Sequence, residues 1–136
     1  MVNSYTNTSV AVASSEAIPF INNRYVVGCG TSHAAGSPAI VLRKPGYYLV
    51  NFNGVLSAAS TGTVSAQLYD NGVAVPGATS SATIATAGDL TNISFSSVVK
   101  VLESCACVDN TTNLTIVNTG LASTYSNAEI SVVRLN

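Results

Sequence analysis

Hydrophobic side chains alternate with a period of two along the central stretch KPGYYLVNFNGVLSA. Tyr48, Val50 and Phe52 fall on one side of an extended chain, which predicts a half-buried β-strand. The opposite side should then face water, but it carries Tyr47 and Leu49 beside two asparagines. This strand therefore has more apolar surface than one sheet face can bury.

Two later segments repeat this excess of apolar surface. Val98 lies on the opposite side from Val99, and Val133 lies on the opposite side from Val132. A β-sandwich buries one face of each sheet, and the chain has no helical periodicity that predicts a covering helix. We therefore expect a second copy of the chain to cover the remaining face.

Short runs rich in β-forming residues, separated by Gly, Pro, Asn and Ser, recur through most of the chain and predict an all-β sandwich or barrel. The predicted strands are Val10 to Ala13, Arg24 to Gly28, Ala39 to Arg43, Tyr47 to Ala58, Thr63 to Tyr69, Val73 to Val75, Asn92 to Leu102, Cys105 to Val108, Asn113 to Asn118 and Ala128 to Leu135.

Local signals predict turns and boundaries between these strands. Asp70-Asn71-Gly72 predicts a hairpin of type I′, because Asn-Gly tolerates positive φ. Pro76 cannot donate to a ladder and belongs on an edge strand or beyond it. Residues 78 to 91 are small and polar, and they predict a long connection or a weak edge strand. Residues 1 to 15 are expected to form an N-terminal arm or tail, and residues 16 to 136 a single domain.

Composition excludes several classes of partner. Of the 136 residues only 8% are charged, and the formal net charge is −1, so phosphate-neutralising charge is lacking and nucleic acid is not an expected partner. The chain contains no apolar run of the roughly 18 to 20 residues that a membrane span requires, and no signal-peptide pattern opens it.

Several motifs resemble those of the C1q-like and tumour-necrosis-factor-like (TNF-like) jelly rolls. Gly46-x-Tyr48-x-Val50 is similar to their G-x-Y-x-V/F signature. The segment VSAQLYDNGVAVPG, over residues 64 to 77, resembles the hairpin of bacterial members at the tips of collagen-like spore-surface filaments and of phage head-fibre and decoration proteins. The final segment AEISVV, over residues 128 to 133, resembles their last strand. The resemblance covers about residues 38 to 135.

This resemblance implies a ten-stranded jelly roll assembled as a homotrimer. With the two-faced strands it predicts a non-enzymatic module on a virion surface, as a head-fibre or decoration protein whose partners are its own copies and a capsid or other surface-structure protein. A Gly-X-Y collagen stalk is missing from the chain, which disfavours a spore filament tip. The interface at the threefold axis is expected to include Tyr48, Val50, Phe52 and Val132, and the sequence leaves open which of the two apolar faces meets the axis.

The alternative function is an adhesin or lectin-like module on a spore or cell surface that recognises glycans or a host protein. Tyr25, Tyr69 and Tyr125 lie near predicted turns. Aromatic rings in such positions can stack on the C–H groups of sugars, or they can simply pack at strand rims. No cofactor is predicted for either function.

Two arrangements of side chains could hold a metal ion. Cys29, His33, Cys105 and Cys107 contain the donors of a tetrahedral zinc site, although the gap between the last two cysteines is tighter than usual. Three reduced, buried thiols are the preferred interpretation, and a disulfide from Cys29 to either of the others stays open. For calcium, the best oxygen donors are Asp109, Asn110 and Asn113.

His33 is the only histidine and the only natural candidate for a general base. The many serines and few carboxylates do not single out a nucleophile or an orienting acid for it. We therefore predict a histidine with no catalytic role and assign no catalytic residue.

Overall fold

The computed structural model describes residues 1–102 and 111–135, and these residues form two antiparallel sheets. One sheet has the strand order β3-β1-β11-β6-β9, with β2 also pairing with β11, and the other has the order β4-β5-β10-β7-β8. The strands of the described residues are β1 Val2–Thr6, β2 Val10–Val12, β3 Asn22–Val26, β4 Thr31–Ser32, β5 Ile40–Leu42, β6 Gly46–Ser57, β7 Gly62–Asp70, β8 Val73–Ile84, β9 Thr91–Val101, β10 Thr112–Asn118 and β11 Ser123–Arg134.

The all-β prediction is confirmed, and nine of the ten predicted strands have a counterpart in the described residues. The strand predicted at Cys105 to Val108 lies outside those residues. Two short strands, β1 and β4, were not predicted. No helix long and apolar enough to cross a membrane occurs in the part of the chain that the structure describes.

The core lies between the two sheets and is built from alternate residues of the strands. On the central strand β6, every second side chain from Tyr48 to Leu56 points into this core, except at Gly54, where there is none. The opposite sheet contributes the same alternation from β7 and β10, which bury Leu68 and Ile116. The half-buried strand predicted over Tyr48, Val50 and Phe52 is therefore confirmed.

The prediction of an N-terminal arm or tail over residues 1–15 is wrong, because β1 lies inside the six-stranded sheet between β3 and β11. Two of its buried polar side chains are hydrogen-bonded to residues distant in sequence. The Asn3 Nδ2 donates to Glu129 Oε1 at 2.7 Å, and the Ser4 hydroxyl donates to Asn23 Oδ1 at 2.7 Å. These bonds offset the cost of burying polar groups, so a strand with few apolar residues becomes part of the domain.

The hairpin between β7 and β8 has the predicted turn. Asn71 has φ 48° and Gly72 has φ 82°, the positive values that a type I′ turn requires. Pro76 lies on β8, which is an edge strand. That strand extends to Ile84, so the segment predicted over residues 78–91 begins as an edge strand and ends as a connection.

Candidate functional site: the open face of the six-stranded sheet

The six-stranded sheet has one face on the core and a second face, here called the open face, that is exposed or half-buried. On β6 the open face carries Tyr47, Leu49, Asn51, Asn53 and Val55. These residues alternate with the buried ones, so the strand geometry itself directs them away from the core. The open face is the surface that the sequence pattern left without a covering element.

The centre of the open face is polar and slightly concave. Asn51 is the cross-strand partner of Ser131 and Ser96, and Asn53 is the partner of Glu129 and Ser94. These six side chains line a depression of about 350 Å³. The open face therefore offers amide, hydroxyl and carboxylate groups in register at its centre, where a partner can form hydrogen bonds with them.

One buried acceptor at the rim of this centre has no partner. Asn3 is only 4% exposed, and its amide nitrogen is bonded to Glu129 as described above. Because Glu129 accepts, the amide cannot be flipped without placing two acceptors together. The Asn3 Oδ1 atom is buried and finds no donor among the described residues. An unsatisfied buried acceptor is costly and favours a donor from outside the chain.

One end of the open face is apolar. Leu49 pairs with Val98 on β9 and with Val133 on β11, so three aliphatic side chains form a continuous row across three strands. Val98 is 51% exposed. An exposed apolar row of this kind is typical of surfaces that bind another protein.

The predicted interface residues lie on the other side of the sheet. Tyr48, Val50, Phe52 and Val132 are at most 2% exposed and belong to the core of the chain itself. They have no surface to offer to another subunit, so their assignment to an interface is corrected. The residues that could meet a second copy are their neighbours on the open face, from Leu49 to Val55 on β6 and from Glu129 to Val133 on β11, on the side that sequence reasoning described as the second apolar side.

His33 is a structural residue in the described fold. It is buried in the loop after β4, where Nε2 lies 2.7 Å from the carbonyl oxygen of Ser37. Its Nδ1 lies 3.1 Å from the hydroxyl of Ser4 and also contacts Asn23 Oδ1. With both ring nitrogens in contact with protein groups, the imidazole links this loop to β1 and β3 instead of facing a substrate.

The two metal hypotheses are only partly within the described residues. Cys29 is exposed, whereas His33 is buried, and Cys105 and Cys107 lie outside the described residues. Of the calcium candidates, Asn113 lies on β10, where its backbone N–H donates to Asn71 Oδ1 at 2.8 Å. Asp109 and Asn110 lie outside the described residues. Within residues 1–102 and 111–135, no three His, Cys, Asp or Glu side chains gather closely enough to hold a metal ion. Both hypotheses stay predictions.

The three tyrosines proposed to stack on sugars do not come together. Tyr125 is fully buried, and burial raises its pKa well above the usual value. Its assignment to a ligand-stacking role is corrected, since a ring in the core cannot reach a ligand. Tyr25 lies on β3 and Tyr69 on β7, which belong to different sheets. Their stacking role stays a prediction.

Sequence reasoning placed Tyr47 on the second side of its strand but did not include it among the candidate ligand-stacking residues. Tyr47, on the open face, is 44% exposed and has the ammonium group of Lys100 over its ring. Its position one residue before the buried Tyr48 was the available signal, because adjacent strand residues face opposite sides.

Comparisons with known proteins show likeness in fold and not in sequence. Neither a protein-family model nor a curated protein matches this chain. Among solved structures, an Eiger TNF from S. frugiperda is 12% identical with a TM-score of 0.72, covering 99% of this chain and 92% of that one. Murine APRIL is 11% identical with a TM-score of 0.68, covering 98% of both chains. PRD1 vertex protein P5 is 13% identical with a TM-score of 0.57, covering 99% of this chain and 96% of that one.

At 11 to 13% identity these likenesses carry information about architecture alone. They extend over nearly the whole chain, from β1 to β11, including the N-terminal strands that the motif resemblance did not cover. The two sheets, the all-antiparallel pairing and these neighbours agree with the resemblance inferred from Gly46-x-Tyr48-x-Val50 and the Asn71-Gly72 hairpin. The chain therefore has the jelly-roll fold of the TNF-like proteins.

Proposed function

We propose that this chain is a non-enzymatic structural module that assembles as a homotrimer on the surface of a virion, as a head-fibre or decoration protein. The observation that carries the proposal is the open face, which combines a polar centre with the apolar row of Leu49, Val98 and Val133 on a sheet whose other face packs into the core.

Burial of this face by other copies is energetically favourable. An interface of about 800 Å² per partner buries about 1,600 Å² in all, and with about 57% of it apolar the gross gain at about 25 cal/mol per Å² is roughly 23 kcal/mol. Association costs on the order of 4 to 15 kcal/mol, so the net free energy favours a stable oligomer. The cross-strand rows at Asn51 and Asn53 would fix how one copy is aligned on the next, because polar groups in an interface must find partners at fixed positions.

Two observations support a structural role over an enzymatic one. The ring nitrogens of His33, the natural candidate for a general base, contact Ser4, Asn23 and Ser37 and are therefore not directed at a substrate. The central depression of the open face contains amides, hydroxyls and one carboxylate from Glu129. That chemistry suits hydrogen bonding between subunits better than proton transfer.

The assignment to a particle surface rests on two further observations. One of the similar structures is, by its name, a vertex protein, PRD1 P5. The chain itself is 8% charged and rich in neutral polar residues, and it has no basic cluster suited to nucleic acid. A capsid or other surface-structure protein is the partner that this proposal implies.

Light scattering of the purified chain tests the assembly. The chain mass is 13.8 kDa, and we expect a species of three times that mass. Val98→Asp places a carboxylate in the apolar row, and this variant is expected to sediment as a folded monomer, because an unpaired charge cannot be buried in an interface without a large cost.

Val73→Asp is the matched control, since Val73 is also an exposed strand valine, at 69%, but lies on the edge strand of the other sheet. It should leave the oligomer intact. A wild-type chain that stays a well-folded monomer at micromolar concentration would contradict the proposal, as would an unchanged trimer in the Val98→Asp variant.

Purified virions from the source of the sequence test the localisation. We expect the chain in their protein inventory at fixed stoichiometry, accessible to antibody on intact particles. Its absence from the particles, with a normal trimer in solution, would overturn the virion assignment and leave the assembly standing.

A further inference from the structure

A second concave site lies at the margin of the open face, where β6 begins and where β9 and β11 end. Its volume is about 410 Å³, within the range of small-molecule sites. The lining residues are Pro45, Gly46, Tyr47, Lys100, Val101, Leu102 and Arg134. Neither the fold nor the proposed trimer assigns a role to this pocket.

The pocket carries two cations beside one aromatic ring. The Lys100 ammonium lies 5.6 Å from the centroid of the Tyr47 ring, and Arg134 Nη2 donates to the Pro45 carbonyl at 2.6 Å. Neither cation forms a salt bridge with a carboxylate within residues 1–102 and 111–135. The backbone bond orients the guanidinium at the rim, and the remaining N–H donors of its planar fork are suited to an anion with two oxygens.

Positive charge in this chain is scarce. The chain has five Lys and Arg residues, and two of them, Lys100 and Arg134, line this one pocket. Arg43 donates instead to the Ser32 hydroxyl, and Arg24 lies on β3 at the opposite edge of the sheet. Two cations in one concave site favour an anionic ligand there.

We propose that this pocket binds a sugar that carries a carboxylate, sulfate or phosphate group. Lys100 and Arg134 neutralise the anionic group, and the half-exposed ring of Tyr47 packs against the C–H face of the sugar. Gly46 also lines the pocket and has φ 138°. This inference goes beyond the proposed assembly, because it concerns a ligand at the margin of the open face and its test reads binding directly.

The test is an NMR titration of the full chain with sugars that all contain the same glucose ring. Glucuronic acid, glucose 6-sulfate and glucose 6-phosphate are the charged probes, and glucose is the neutral one. We expect saturable amide shifts at Gly46, Tyr47 and Val101 with at least one charged sugar and none with glucose. The charged sugar that binds best identifies the anionic group.

Two further probes separate a sugar site from a general anion site. Inorganic phosphate supplies the charge without the ring, and hexaglutamate supplies carboxylates on a peptide. Binding of either probe as tightly as the best sugar would overturn the proposal. So would a titration in which no charged sugar gives a saturable shift. Weaker saturation by both supports a contribution from the sugar ring.

Variants then locate the site. Lys100→Gln and Arg134→Gln are expected to weaken binding at least about tenfold, the usual effect of losing one charge-assisted hydrogen bond. Arg24→Gln is the matched control, because it removes a cation that lies 5.5 Å from the ring of Tyr5 in a similar pair elsewhere on the sheet. Equal losses in all three variants, or no loss in the first two, would overturn the proposal.

Discussion

The hydroxyl group of Tyr48 donates a hydrogen bond of 2.7 Å to the carbonyl oxygen of Lys44. The other fully buried tyrosine, Tyr125, has a buried hydroxyl with no hydrogen-bond partner among the described residues. We expect Tyr48→Phe to cost about 1 kcal/mol of unfolding free energy, because the bond is lost. Tyr125→Phe should be neutral or stabilising, since it removes an unsatisfied polar group.

Urea unfolding of the two variants checks this pair of predictions. Each variant loses one hydroxyl from a ring that stays buried, so each serves as the control for the other. A larger loss for Tyr125→Phe than for Tyr48→Phe would show that the Tyr125 hydroxyl is bonded in solution.

The buried ring of Tyr125 also predicts a loss of stability at high pH. Burial raises its pKa above the usual value of 10.0, so the folded chain keeps a proton that the unfolded chain releases. Stability is therefore fully present below pH 10 and falls as the pH rises above it. We expect the wild type to lose about 1.4 kcal/mol more than Tyr125→Phe between roughly pH 8 and pH 11. Equal losses in urea unfolding would contradict this assignment.

Gly54 on β6 allows two buried rings to approach the backbone. A Cβ atom at this position would lie 3.0 Å from Tyr125 Cε1 and 3.1 Å from Phe52 Cζ. Gly54→Ala should therefore destabilise the fold by about 1 to 3 kcal/mol through overpacking. Ser81→Ala, an exposed substitution on the edge strand β8 of the other sheet, is the control and should change stability by less than about 0.5 kcal/mol. A Gly54→Ala variant as stable as the wild type in urea unfolding would contradict the packing argument.

His33 should matter for stability. His33→Ala removes the contact of Nε2 with the Ser37 carbonyl and the contact of Nδ1 with Ser4, and it leaves a cavity beside Phe20. We expect a loss of about 2 to 4 kcal/mol in thermal or urea unfolding. Ala35→Ser, an exposed change in the same loop, is the control and should be silent. Full stability of His33→Ala would show that the loop is held by other contacts.

Local patterns in the sequence were enough to predict strand β6 and the β7–β8 turn. The apolar series of Tyr48, Val50 and Phe52 predicts a half-buried strand, because strand geometry fixes which residues share a face. The turn at Asn71-Gly72 is likewise a property of two neighbouring residues and their φ angles. Both features need no information from distant parts of the chain.

The N-terminal strand could not be predicted in the same way. Only Val2 among its buried residues is a large apolar side chain, whereas Asn3, Ser4 and Thr6 are polar and fully or almost fully buried. The hydrogen-bond partner that allows Asn3 to be buried, Glu129, is 126 residues away. No local pattern indicates such a distant partner. The polar N-terminal segment was therefore predicted to be an arm or tail.

The choice of the open face was the third difficulty. Both sides of β6 carry large side chains, and alternation alone does not say which side faces the core. The polar residues Asn51 and Asn53 on the side of Leu49 were the distinguishing signal, because a buried face rarely carries two adjacent amides without partners. The pocket at Tyr47 and Arg134 depends on the meeting of three strand ends, which no single segment contains.

The pairing of β1 with β11 determines when this domain can be completed. Val2 is the register partner of Val132, near the other end of the chain. Closure of such a long loop is slow, and folding rates fall as contacting residues lie farther apart in sequence. While the ribosome is still making β11, the first strand can pair with β3 alone, and its other edge stays exposed and can pair with the wrong chain. Crowded synthesis of many copies is therefore the condition under which misfolding competes most strongly with native folding.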